Sequence, residues 1–265
     1  MARKLNANLK KELINGKYAK LLKAIRQDPE LTLEIRTGGK AHIYHHKKLI
    51  LTLAAKSEPK LLSDGYIKEG CIKPQLDLCH PEKYLNEAKE IVRSHSKKME
   101  FAIQQNIANS NKVAECDYFV VDMEYAFPQN DIIKEERISK TRIDLVAIEK
   151  GTNDIVLFEL KYGATALSGT SGVDGHFEKT MRSIDNVKFR DTIKADIKNI
   201  IEDKNDLKLI KYKMPASFNK IRMMYIYAYN NDNDYNTYRE KYESAYKAKG
   251  INTLYIDTRY KLKCE

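Results

Sequence analysis

TRIDLVAIEKGTNDIVLFELKY, residues 141–162, predicts two β-strands joined by a short turn, and the expected architecture follows from this hairpin. The strands are predicted over 141–148 and 154–162, where β-branched and aliphatic residues dominate, and the turn centres on Gly151. Side chains alternate between the two faces of a strand, so charged residues at alternate positions share one face. We therefore expect an antiparallel hairpin with one chemically distinct face.

The charged face of this hairpin carries two carboxylates. If the residues that flank the turn face each other, Asp144 lies directly opposite Glu159. The same register places Arg142 opposite Lys161. Two facing carboxylates destabilise a sheet unless a cation lies between them, and a hard divalent cation with oxygen ligands meets that need. Solvated edge-strand charges are the simpler interpretation, but the strands are mostly apolar around these residues.

A metal ion, two carboxylates and a lysine suit the hydrolysis of a phosphodiester. A metal polarises the phosphoryl oxygen and lowers the pKa of a bound water. Lys161 lies two positions after Glu159 on the same face, where it can orient that water or stabilise the charge that develops. The predicted activity is therefore metal-dependent hydrolysis of a phosphodiester.

The arrangement of Asp144, fourteen further residues and then Glu159-Leu160-Lys161 resembles the PD-(D/E)xK nuclease superfamily, which includes many restriction and repair nucleases. The resemblance covers about residues 85–230. It implies an α/β fold with a restriction-endonuclease-like core, in which a helix is followed by a three-stranded meander, a helix and a strand. The sequence periodicity predicts the same order, namely helix 82–109, strands 117–127, 141–148 and 154–162, helix 176–203 and strand 221–229.

The resemblance also implies roles for individual residues. Asp144 and Glu159 would be metal ligands together with the backbone carbonyl of Leu160. Lys161 would be the catalytic lysine, and the implied cofactor is Mg²⁺ or Mn²⁺. The match departs from the superfamily pattern at Ile143, where the motif has proline.

The superfamily often adds a glutamate ligand from its first core helix. Glu100 is the best candidate for this ligand, with Glu90 and Glu115 as alternatives. The spacing of these residues does not decide among them.

Three more polar residues are candidates for nucleic-acid-binding or supporting roles. Glu124 lies in an apolar strand, where it either lines the metal face and fixes Lys161 or is a paired charge at the sheet rim. Arg142 either grips a phosphate or forms a salt bridge with a glutamate. His176 follows the glycine-spaced loop 163–175, where it either contacts a phosphate or a metal-bound water or has a structural role.

Most of the positive charge lies in the first third of the chain. The net charge is +10, and residues 1–80 contain 16 Lys or Arg against 8 Asp or Glu. A helix over 5–27 and three strands within 31–54 predict a small basic α+β module there, followed by a linker over 56–80. We predict that this module holds the backbone of a nucleic acid, DNA rather than RNA, and that 81–265 form the nuclease-like domain.

The sequence predicts a cytoplasmic protein without a membrane partner. No stretch approaches the roughly 20 consecutive apolar residues that cross a bilayer. The N-terminus lacks the apolar region of a signal peptide, and the four cysteines form no CxxC pair. The resemblance also leaves a homodimer open, because many related nucleases cut both strands as dimers.

Two other functions stay open at this point. A nuclease-fold protein that has lost turnover would serve as a nucleic-acid-binding or assembly module, although the presence of Asp144, Glu159 and Lys161 disfavours it. An unrelated basic α/β protein would keep the two carboxylates apart.

Two further clusters have simpler interpretations. The histidines His42, His45 and His46 favour a surface cluster over a zinc site, because no further ligand stands at zinc-finger spacing. A helix around 234–249 carries a tyrosine stripe, which favours packing on a core over stacking on bases. The stripe consists of Tyr235, Tyr238, Tyr242 and Tyr246.

Overall fold

Two β-sheets organise the described residues of the chain, one sheet in each of two units. The structure is a computed structural model with a mixed α/β fold. The first unit contains Met1–Asn109 and Ala195–Met214, and the second contains Ser110–Lys194 and Pro215–Glu265. The described residues are 2–67, 72–95, 99–113, 115–126, 142–167, 172–229, 231–256 and 260–263.

The sheet of the first unit is an antiparallel meander in the order β1-β2-β3-β4. The three strands predicted within 31–54 are confirmed. A fourth strand and a 3-10 turn at Asp64–Tyr66 lie in the segment predicted as a linker. The strands are β1 (Thr32–Arg36), β2 (Lys40–His45), β3 (Lys48–Ala54) and β4 (Ser57–Leu61).

The prediction of one helix over 5–27 is wrong, because two helices form there, α1 (Ala7–Asn15) and α2 (Ala19–Gln27). The chain is extended at Gly16, with φ −109° and ψ −153°. A Cβ atom at Gly16 would lie 2.7 Å from the Cα of Glu12, so only glycine fits this reversal. Two further helices follow the sheet, α3 (Pro81–His95) and α4 (Met99–Ser110).

The sheet of the second unit has the order β5-β6-β7-β8-β9. The first three strands form an antiparallel meander, whereas β8 runs parallel to β7 and β9 runs parallel to β8. The first four strands match the predicted segments to within a few residues, and β9 falls within 252–257, where the apolar pattern also predicts a strand. The five strands are β5 (Tyr118–Ala126), β6 (Arg142–Glu149), β7 (Ile155–Tyr162), β8 (Ile221–Ala228) and β9 (Thr253–Tyr255).

A 3-10 turn at Ala164–Leu167 follows β7, and helices connect β7 to its parallel neighbour β8. The predicted single helix over 176–203 is wrong, because α5 (Val173–Asp185) ends at Asn186 and α6 (Val187–Asp206) begins directly after it. Asn186 is extended, and its side-chain oxygen accepts the N–H of Phe189 at 3.0 Å. Asparagine is a favoured N-cap residue, so a new helix begins after Asn186 and α5 does not continue.

The C-terminal helical segment comprises α7 (Asp232–Tyr238), a π-helical turn at Arg239–Glu243 and α8 (Ser244–Ala248). Its tyrosines pack inward: the ring of Tyr238 stacks on Tyr227 at 4.5 Å, and both Tyr238 and Tyr246 are buried. The interpretation of the stripe as core packing therefore holds for these two residues. No helix among the described residues has the length and apolar character needed to cross a membrane.

Within the first unit, residues of α6 bind the beginning of the chain. Asp196 Oδ1 accepts the N–H of Arg3 at 2.8 Å, and Asp203 Oδ2 accepts the N–H of Leu5 at 2.5 Å. Lys204 forms an ion pair with Glu34 on β1 at 2.5 Å, and both side chains are almost fully buried. The first unit therefore depends on contacts between residues that are far apart in sequence.

We expect the stability of the first unit to fall between about pH 6.5 and pH 4. Burial, reinforced for His42 by the positive charge of Arg36, lowers the pKa of His42 to about 4, and burial lowers the pKa of His45 to about 4. Because an unfolded histidine has a pKa near 6.5, the unfolded state binds more protons in this window, so the free energy of unfolding decreases as the pH falls. Urea unfolding at pH 7.0, 5.5 and 4.5 measures this, with the wild-type chain compared with His45→Gln. A His45→Gln curve with the same pH dependence as the wild type would contradict the assignment to His45.

Candidate active site

The β6–β7 hairpin has the predicted register. The ladder runs from Ile148 opposite Ile155 to Leu145 opposite Phe158, and Glu149 donates its N–H to the carbonyl of Asp154 at 2.9 Å. Continuing the alternation of faces places the next side chains, Asp144, Glu159 and Lys161, on one face of the sheet. All three are buried, with 7%, 6% and 7% of their surface exposed.

Asp144 lies at the point where the β6–β7 ladder ends. Its Oδ2 accepts the backbone N–H of Leu160 at 2.9 Å, where a backbone carbonyl of β6 would otherwise be the acceptor. The N–H and C=O of one strand residue point to the same edge of the strand. The carbonyl of Leu160 therefore points to the same edge of β7 as the N–H of Leu160, which donates to Asp144.

Glu159 is the centre of the polar contacts in this cluster. Its Oε1 lies 3.1 Å from Lys161 Nζ and 2.8 Å from His176 Nδ1. Burial alone would raise the pKa of Glu159, but the hydrogen bond with His176 and the charge of Lys161 outweigh it and lower the pKa below the usual value. Glu159 is therefore held as an anion in a buried place.

Lys161 is packed on its other side by tyrosines. A narrow gap lined by Lys161, Tyr225, Tyr227 and the buried rings of the C-terminal helical segment is too small for a water molecule. On the side of Glu159 the ammonium group forms its ion pair.

His176 reaches Glu159 from the first turns of α5. The hydroxyl of Tyr225 donates to the carbonyl of Val173 at 2.7 Å, which fixes the start of this helix against β8. Tyr225 is also the β8 partner of Glu159 in the parallel ladder. Burial, with the negative charge of Glu159 second, raises the pKa of Tyr225, so its hydroxyl keeps its proton and remains a donor.

Glu124 and Arg142 form a second polar pair at this end of the sheet. Arg142 Nη1 lies 3.0 Å from Glu124 Oε2, and the Arg142 side chain is 66% exposed whereas that of Glu124 is 6% exposed. Glu124 has a positive φ of 56°, a backbone conformation that costs free energy for a non-glycine residue, and β5 carries a bulge between Val120 and Asp122. The pair agrees with the interpretation of Arg142 as a salt-bridge partner and leaves its guanidinium accessible.

The three candidates for the upstream glutamate lie on other elements than the site residues. Glu100 lies on α4 and Glu90 on α3, both in the first unit, and Glu90 forms an ion pair with Arg93. Glu115 is exposed in the second unit.

Part of the predicted loop 163–175 lies outside the described residues. Tyr225 is a site residue that sequence reasoning missed, because a tyrosine in an apolar strand carries no signal of its hydrogen-bond partner.

The donor set around Asp144 and Glu159 suits a hard cation in its chemistry. Both ligand groups are carboxylates, and Glu159 Oε2 accepts no hydrogen bond from the described residues, whereas Oε1 has two partners. Across the part of the chain that the structure describes, however, no three His, Cys, Asp or Glu side chains group together in a way that could hold a metal ion. A bound cation would therefore draw on the two carboxylates, a backbone carbonyl and water, which is usual for Mg²⁺.

Comparisons of this chain with protein-family models, with curated proteins and with solved structures find no match.

Proposed function

We propose that this protein is a divalent-metal-dependent nuclease with a restriction-endonuclease-like core, which hydrolyses phosphodiester bonds in DNA rather than RNA. One observation carries the proposal: Asp144, Glu159 and Lys161 are buried together on one face at the end of the β6–β7 ladder. Burying two acids and a lysine costs free energy, and such clusters are typical of functional sites.

The topology supports the same proposal. The meander β5-β6-β7 is followed by a helical connection and then by β8, parallel to β7. This is the order of elements that the resemblance to the PD-(D/E)xK superfamily implies. The polar cluster lies at the carboxyl end of β7, where it is next to the connection into α5.

Each residue of the cluster has a role in the proposed reaction. Asp144, Glu159 and the carbonyl of Leu160 would hold Mg²⁺ or Mn²⁺, which supplies Lewis acidity at a phosphoryl oxygen and lowers the pKa of water. Lys161 holds a positive charge beside Glu159, where it stabilises the charge that develops on the phosphate.

Two further residues support this cluster. His176 keeps Glu159 anionic and fixes its orientation. Arg142, with its exposed guanidinium, contacts a phosphate of the substrate.

Cleavage assays test the proposal directly. Labelled single-stranded and double-stranded DNA and RNA are incubated with the full chain and Mg²⁺ or Mn²⁺, with and without a chelator. We expect cleavage of DNA that the chelator abolishes. Intact substrates in every metal-containing reaction would contradict the proposal.

A second candidate function is a nucleic-acid-binding or assembly module on the same fold that has lost turnover. The excess positive charge of residues 1–80 supports nucleic-acid binding whether or not the chain cleaves its partner. Calorimetric titration with Mn²⁺ separates the two functions. Binding that Asp144→Asn weakens supports the enzyme, and no binding by the wild-type chain supports the lapsed module.

We expect Tyr225→Phe to lower kcat of the cleavage reaction about tenfold with little change in KM. The substitution removes the hydroxyl that fixes Val173 and therefore loosens His176 on Glu159. The control is Tyr246→Phe, which also removes a buried hydroxyl bonded to a backbone carbonyl, that of Leu167. Equal losses in the two variants would show that general loosening, and not the position of His176, lowers the rate.

A further inference from the structure

The turn between β2 and β3 has an unusual composition for its geometry. His45 pairs with Lys48, so His46 and Lys47 form a two-residue hairpin loop. Both loop residues have positive φ, 45° at His46 and 61° at Lys47. Such turns favour Asn-Gly or Gly-Gly because other residues strain the backbone there. The chain therefore keeps two larger side chains in a turn that glycine would stabilise.

A buried amide holds this turn in place. Gln105 of α4 is 2% exposed, and its Oε1 accepts the N–H of Lys47 at 3.0 Å. Its Nε2 donates to the carbonyls of Glu30 at 2.5 Å and Tyr44 at 3.3 Å. One hydrogen bond of Gln105 therefore reaches the turn itself, at Lys47, and the other two join the same side chain to the backbone of Glu30 and Tyr44 beside it.

The ammonium groups of the turn gather on aromatic rings. Lys47 Nζ lies 5.1 Å and Lys48 Nζ lies 4.7 Å from the ring centroid of Phe101, and Lys48 Nζ lies 5.7 Å from that of Tyr66. Aromatic faces attract cations, so these rings hold both ammonium groups near the turn.

We propose that the turn at His46–Lys48, with the ring of Phe101 beneath it, is a contact surface for the phosphate backbone of a nucleic acid. The strain at the turn and the gathered cations point to a use for these side chains beyond folding. The excess positive charge of residues 1–80 makes a polyanion the complementary partner. The inference rests on the proposed function only in taking nucleic acid as the partner.

The double variant His46→Asn/Lys47→Gly tests this surface, because its two expected effects have opposite signs. Asn-Gly suits the turn, so the midpoint of urea unfolding should rise. Loss of one phosphate contact should weaken binding of a fluorescently labelled DNA duplex, measured by anisotropy with the full chain and a chelator. The slope of log affinity against log salt should fall by about 0.9. A more stable variant with unchanged affinity and slope would overturn the proposal.

A charge-matched comparison separates this surface from general electrostatic attraction. Lys47→Gln/Lys48→Gln and Lys20→Gln/Lys23→Gln each remove two positive charges from the first unit, the second pair from the exposed face of α2. We expect the turn variant to bind the duplex about tenfold more weakly, with a salt slope lower by about 1.8, and the α2 variant to lose less than about twofold. Equal losses would overturn the proposal.

The binding assay and the cleavage assay test the two proposals separately, so either proposal can be contradicted while the other is supported. Duplex binding that depends on the turn, in a chain that does not cleave, supports the contact surface and contradicts the nuclease. Cleavage by a chain whose affinity does not depend on the turn supports the nuclease and overturns the contact surface. A wild-type chain that binds no duplex also overturns it.

Discussion

Asp144→Asn is expected to lower the rate of DNA cleavage by roughly a hundredfold to a thousandfold while leaving the fold intact. The amide oxygen of asparagine can still accept the N–H of Leu160, which is the bond that Asp144 Oδ2 makes at 2.9 Å. The negative charge at the end of the β6–β7 ladder is lost, however, and a neutral amide binds a divalent cation weakly. Single-turnover cleavage in Mg²⁺, with circular dichroism and urea unfolding as measures of the fold, checks both parts.

Lys161→Met is expected to lower the rate of DNA cleavage by a similar factor, because it removes the positive charge beside Glu159. The variant keeps most of the packed hydrocarbon of the side chain beside the tyrosines but removes the ammonium group from Glu159. The matched control is Glu178→Gln on the exposed side of α5, which changes a charge on the helix that carries His176 and should leave the rate within about twofold. If Asp144→Asn and Lys161→Met cleave as fast as the control, the buried cluster is not the site of the reaction.

Lys204→Met is expected to destabilise the first unit by about 3–5 kcal/mol, because it removes the ammonium group that forms an ion pair with the buried carboxylate of Glu34. The two side chains lie 2.5 Å apart, and each is 1% exposed. Replacing both partners with apolar residues, Glu34→Leu/Lys204→Met, should recover much of this loss, since the cost of burying the charges disappears as well. Urea unfolding of the single and double variants measures the coupling.

An exposed ion pair in the same unit provides the control. Lys73 lies 2.5 Å from Asp64, and both side chains are largely exposed. Lys73→Gln should therefore cost no more than about 1 kcal/mol. A Lys204→Met variant as stable as Lys73→Gln would mean that the ion pair of Lys204 and Glu34 does not stabilise the first unit.

The hairpin at the centre of the candidate site could be predicted from the sequence. Strand periodicity and the polar turn gave the register in which Leu145 faces Phe158, and the alternation of faces put Asp144, Glu159 and Lys161 together. Both signals are local, because a strand repeats its faces every two residues and a tight turn fixes its register. The parallel strands β8 and β9 were also predictable as segments, although not as neighbours.

Local patterns were insufficient where a cap or a close contact decided the structure. The apolar periodicity of residues 5–27 predicted one helix, but the extended backbone at Gly16, which only glycine fits, ends α1. Asn186 likewise divides the predicted helix over 176–203. Hydrophobic spacing predicts which face of a helix is buried, but it does not predict where a side chain caps the backbone and ends the helix.

Local sequence was enough to predict the two strands of the hairpin, the face shared by its charged residues and the basic character of the first third of the chain. Long-range packing brings His176 to Glu159, places Tyr225 against the start of α5, and pairs Lys204 with Glu34 across 170 residues. Backbone periodicity repeats over a few residues, whereas the partner of a buried polar side chain depends on which distant segments pack together.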